Sequence, residues 1–285
     1  MPELTQYMLQ VREGHATRLP GTWPPFRQPD ALLTALITYS SDSLPAVRSA
    51  ANQIANSVGV QSKDATVRQR CVAQLARAAT DTQGANVAEV YSMLTCYQRS
   101  DFNTEAQQTL INLFTSQPLY LDRLVRLIGF IGISTLQPAI KQLSGGQNKN
   151  NTLRWAALLA LARMGDDDAA QVVLRKIQRL PVEDDVVYDV FPDLIFTRHR
   201  LLIDYLVTVL QSDEAGCSPA DPDQSGPMLC AYRVMEMLAP VIEKFPLQAG
   251  PSGDIQTRDY PLALQEARTW LDKHVDSYTN NRDMY

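Results

Sequence analysis

No stretch of the chain approaches the ~20 consecutive apolar residues that a membrane-crossing helix requires, which excludes a helical membrane span. Met1 to Gln10 lacks a basic start followed by an apolar core, so no secretory signal is visible. Excess positive charge is also missing. Lys and Arg number 26 against 31 Asp and Glu, a net charge of -5. Phosphate neutralisation dominates nucleic-acid affinity, so this balance argues against a nucleic-acid partner. The clusters Arg68, Arg70, Arg77 and Arg175, Lys176, Arg179 read as solvated helix faces.

Histidine is scarce. His15, His199 and His274 are the only three, in different segments. No His-Glu dipeptide, HExxH, CxxC or HxxxH spacing occurs, so no metal centre is expected. Four cysteines in 285 residues do not make a disulfide scaffold. Cys71 and Cys96 fall in helical patterns and read as buried thiols. Cys217 and Cys230 flank a polar loop. A disulfide would staple it in an oxidising compartment, but nothing marks export, and a cytoplasmic location is expected. Strand patterns are absent too: no segment alternates apolar and polar residues with β-branched enrichment.

What is present is helical periodicity. Apolar spacing at i, i+3, i+4 and i+7 predicts helices near 31–40, 44–58, 64–79, 84–99, 103–115, 119–131, 134–143, 152–164, 167–179, 184–196, 198–211, 227–244 and 259–276. Their ends carry recognisable signals. Pro45 fits a first turn. Asp64 fits an N-cap. Gly59 and Gly165 fit helix exits. Asp166 to Asp168 supply negative charge at a helix start. Residues 1–30 read as an extended lead-in, and residues 31–285 as one helical domain.

Three stretches resemble one another: Val47-Arg48 followed by Ala50, Ala51, Ile54 and Val58; Val67-Arg68 followed by Cys71, Val72 and Leu75; and Leu153-Arg154 followed by Ala156, Ala157, Leu161 and Met164. Small residues on one face admit a close neighbour, and the larger ones fill the seam. These stretches resemble the HEAT-repeat (armadillo-like) family. That resemblance implies an all-α superhelix, a right-handed solenoid of six to seven antiparallel helix pairs. It also implies that Arg48 and Arg154 brace neighbouring repeats through an acidic residue. The spacing fits in part. Val67 to Leu153 is near two repeats, whereas Val47 to Val67 matches a single helix. A non-repetitive bundle is the competing architecture.

Few residues suggest chemistry. Gly145-Gly146 lacks the GK[ST] ending of a phosphate loop and reads as a turn. Asp221, Asp223, Ser225 and Gly226 begin like a calcium loop, but position 12 is Tyr232, not Glu, so an acidic turn is preferred. Asp189 and Asp193 share a helix face at i,i+4 and could pair for acid/base work, although surface charge is commoner. Trp23, Phe26 and Tyr39 read as packing for the lead-in, or as a recognition patch.

With no catalytic residue, cofactor or metal expected, the sequence points to a non-enzymatic interaction or scaffold module. Its partner would be a protein or peptide bound on the concave face. The competing reading is a helical-repeat enzyme or nucleic-acid binder similar to the alkylated-base DNA glycosylases, with Trp155 on the binding face. On the first reading, Tyr91, Tyr97, Arg123 and Arg126 are the expected exposed contact positions.

Overall fold

The computed structural model of the protein describes residues 1–15, 24–81, 86–219, 226–250 and 252–285. It is all-helical. Among the described residues only isolated β-bridges occur, and no strand. The chain forms two compact units, Met1–Leu136 with Asp283–Tyr285, and Gln137–Arg282.

The first unit contains α1 (Pro2–Arg12), α2 (Pro29–Ser40), α3 (Pro45–Gln61), α4 (Ala65–Ala78), α5 (Val87–Leu94), α6 (Thr104–Thr115) and α7 (Leu121–Ile131). The extended lead-in anticipated over 1–30 therefore begins with a helix. Pro2 opens it, and Leu4, Tyr7, Met8 and Val11 form its buried stripe. Residues 16–23, and Trp23 with them, lie outside the described residues. Short connections pack successive helices in two layers. One holds α2, α4 and α6; the other holds α3, α5 and α7. Asp64 accepts a hydrogen bond from the Thr66 amide at 2.8 Å, and Asn103 from Ala106 at 3.0 Å, so both cap as their residue types require. Between the layers lie Leu32, Ile54, Leu75, Leu94, Leu110 and Ile128, all fully buried. Each such side chain contributes roughly 1.5–3 kcal/mol by leaving water.

The second unit contains α8 (Gln137–Ser144), α9 (Asn151–Met164), α10 (Asp167–Ile177), α11 (Asp184–Asp189), α12 (Phe191–Thr197), α13 (Arg200–Gln211), α14 (Ala231–Leu238) and α15 (Tyr260–His274). α9 is its centre, buried from Ala156 through Arg163 and packed on α8, α10 and α12. The Arg163 guanidinium donates to the carbonyls of Phe196 at 2.6 Å and Arg282 at 2.8 Å, which satisfies a charge inside the unit.

Three anticipated helices are shorter or broken. The one over 184–196 divides into α11 and α12, because Pro192 has no amide to continue the ladder. The one over 84–99 ends at Leu94, and the one over 227–244 covers only Ala231–Leu238.

Candidate functional site

Of the four anticipated contact positions, Tyr91 and Tyr97 are buried, Arg126 is half-buried and Arg123 is exposed. The exposure expected for both tyrosines is corrected. Tyr97 follows the end of α5 and lies against Gly59 of α3, where an added Cβ would run into its hydroxyl oxygen. That hydroxyl donates to the Asn56 carbonyl at 3.3 Å, and burial pushes its pKa up. Tyr97 is a core residue.

Tyr91 is different. With Ser92, Thr95, Asp122, Arg123, Arg126, Leu127 and Tyr285 it lines a cleft of about 410 Å³ in the first unit. Its ring is buried, yet its hydroxyl has no hydrogen-bond partner among the described residues. Burial, then the Asp122 carboxylate, pushes its pKa up to about 12, so it stays protonated and can donate. Arg123 donates to the Ala88 carbonyl at 3.1 Å, and its guanidinium lies 5.4 Å from the Tyr120 ring centroid. The cleft thus brings together the Tyr91 hydroxyl, the Arg123 and Arg126 guanidinium groups and the Asp122 carboxylate. Tyr91, Arg123 and Arg126 do converge, while Tyr97 does not.

A larger groove of about 690 Å³ opens where the end of α2, the start of α3 and the end of α4 meet. Its lining is polar: serines and Thr80, Asp42 and Asp81, Arg48 and Arg77, and the carboxamides of Asn52 and Gln74. Arg48 pairs with Asp81 at 2.8 Å, Arg77 with Glu105 at 2.7 Å, and Asp42 with Arg12. Gln74 donates to the Ser40 hydroxyl at 2.9 Å. Asn52 is 4% exposed, and its Oδ1 has no partner among the described residues. Leaving such an acceptor unmatched costs roughly 1–3 kcal/mol.

Arg48 pairs with an acidic residue, as expected of it, and Arg68 makes a matching set of bonds. Arg48 Nε binds Asp81 at 2.8 Å, while Nη1 reaches the carbonyls of Asp42 and Ser43. Arg68 Nε binds Asp101 at 2.9 Å, while Nη1 reaches the carbonyls of Ser62 and Lys63. Each arginine opens one helix and holds an aspartate beyond the end of the next. Arg154 departs from this expectation. Its recorded partner is the Asn151 side chain at 3.0 Å, not an acidic residue.

The remaining candidates disperse. Asp193 accepts from the Trp155 indole at 2.6 Å, and the break between α11 and α12 removes the i,i+4 face expected to join it to Asp189. Trp155, also 5.5 Å from Lys176 Nζ, is thereby engaged in packing. His199 is buried with Nε2 3.2 Å from Asp167, and burial lowers its pKa. His274 stacks on Trp270, and His15 is exposed beside Glu13. Residues 221–225 of the expected acidic turn lie outside the described residues. Among the described residues no group of three or more His, Cys, Asp or Glu stands at metal-holding distance. Cys71 is buried as expected, but Cys96 is exposed, because α5 stops before it. Cys217 and Cys230 are joined in a disulfide, both buried, with Cα atoms 5.1 Å apart.

No family model, curated protein or solved structure matches the chain.

Proposed function

We propose that the protein is a non-enzymatic interaction module that binds a protein or peptide partner through an acidic side chain. The supporting observation is the α5–α7 cleft, where the Tyr91 hydroxyl, without a partner among the described residues, lies beside Arg123 and Arg126. A carboxylate there would accept from the tyrosine and from a guanidinium, an arrangement that favours charge-assisted bonds. The layered helices and the repeated arginine brace support a HEAT-like reading of this chain, and stacked helical repeats offer extended surfaces for such partners. We place the partner on the layer of α3, α5 and α7. No observation favours the competing enzyme or nucleic-acid reading, and Trp155 is tied to Asp193.

The test is a peptide array of matched acidic, neutral and basic sequences probed with the full chain. Selective capture of acidic peptides supports the reading. Equal capture of all three classes, or of none, overturns it.

A further inference from the structure

The groove bounded by α2, α3 and α4 is separate from the proposed peptide cleft, and its lining has a different chemistry. The geometry points to a second site here, for a neutral polyhydroxylated ligand such as a mono- or disaccharide, with the Asn52 carboxamide accepting from one of its hydroxyls. Asn52 carries the inference. It is 4% exposed, it lines the groove, and its Oδ1 has no partner among the described residues. A buried acceptor without a donor is rare in folded chains, and a ligand hydroxyl is one way to supply it.

Charge argues for a neutral ligand. Arg48, Arg77, Asp42 and Asp81 are each matched by a counter-charge of this chain. An ionic ligand would have to break one of those pairs. The rest of the lining both donates and accepts: Ser40, Ser41, Ser43 and Thr80 hydroxyls, and the Gln74 amide. Sugar hydroxyls do the same. Ile37, 54% exposed at the rim, offers an apolar surface to the C–H face of a sugar ring. Among the described residues no aromatic side chain lines the groove, which disfavours a nucleobase that would need stacking. A peptide strand is disfavoured too, because among the described residues Ile37 is the one large apolar side chain in the lining and peptide partners need buried anchors. The volume of about 690 Å³ suits a small molecule.

The experiment is calorimetric titration of the full chain with glucose, N-acetylglucosamine, maltose and trehalose. Two variants accompany it. Asn52→Leu keeps the branched shape of the side chain and removes the acceptor. Ser41→Trp blocks the opening from an exposed position. The expected result is binding of at least one probe, weakened at least about tenfold in each variant. Asn52→Leu should also melt no lower than the parent chain, because the lost acceptor has no partner among the described residues to give up. A purely structural Asn52 would instead show a lower Tm with unchanged binding, and that result overturns the site. So does binding of none of the four probes. Were Asn52→Leu to lose its fold, Ser41→Trp decides alone: unchanged binding overturns the proposal, and lost binding supports it. Failure here leaves the acidic-peptide reading standing, since no residue is shared between the groove and the cleft.

Discussion

Arg68 and Asp101 are joined at 2.9 Å, and the aspartate is 1% exposed. The bond fastens the start of α4 to the chain just beyond α5, and Asp101 also accepts from the Gln98 amide at 3.1 Å. Removing one partner of such a buried pair strands the other. Asp101→Ala should therefore lower unfolding stability by about 3 kcal/mol or more. Glu105→Ala, which breaks the exposed pair with Arg77, should change it by less than about 1 kcal/mol. Urea unfolding of both variants checks the contrast. Equal losses would mean that the Arg68 clamp is no firmer than a surface pair.

Tyr97 and Gly59 form a second tight relationship. Tyr97→Ala should cost about 3–5 kcal/mol, as truncation of buried aromatics does. Gly59→Ala should cost about 1–3 kcal/mol, because the added carbon meets a buried ring. Thermal melts of both variants report this. A Gly59→Ala chain as stable as the parent would show that Tyr97 has room to move.

The Cys217–Cys230 bond closes a separation of 13 residues. On the chain-entropy account a loop of that size is worth about 3 kcal/mol. Cys230→Ser, or reduction, should lower stability by about that amount in denaturant unfolding. Disulfides persist where the surroundings are oxidising, so the pairing and a cytoplasmic address pull in opposite directions. Alkylation of unreduced protein from its native source, read by mass spectrometry, decides between them. Two free thiols there would contradict the bonded structure.

His199 gives a pH prediction. Burial lowers its pKa below the ordinary 6.5, with Asp167 partly opposing. The unfolded chain then takes up a proton at higher pH than the folded one. The contribution of His199 to stability is thus full above 6.5 and lost as pH falls through the folded pKa. Urea midpoints measured downward from neutral pH should fall more steeply for the parent chain than for His199→Gln. Parallel profiles would mean that the imidazole is not held neutral.

Much of the helical framework was legible because period and caps agree. Asp64, Asn103, Asp166 and Asp259 each cap a helix by accepting a backbone amide. The Val-Arg signature at Val47-Arg48 and Val67-Arg68 was legible as well. Its spacing of one helix looked like a broken repeat, whereas both arginines make the same set of bonds. α1 was readable in principle, since Leu4, Tyr7, Met8 and Val11 stand at i, i+3, i+4 and i+7. So was the burial of Tyr91, which shares the stripe Val87, Val90, Leu94. Tyr97 was not, because its burial depends on where the chain turns after α5. The groove was also hidden: Asn52 sits in an ordinary helical pattern, and only packing of α2 and α4 around α3 leaves its oxygen unmatched.

The central claim is that the Tyr91 hydroxyl is kept for a partner. Tyr91→Phe removes that one oxygen and leaves the buried ring. Affinity for the acidic peptides captured on the array, compared between parent and Tyr91→Phe chains alongside their melting temperatures, tests it most directly. The account predicts at least about fivefold weaker binding with Tm unchanged or raised, because the hydroxyl has no partner among the described residues. Unchanged affinity with a lowered Tm would contradict it.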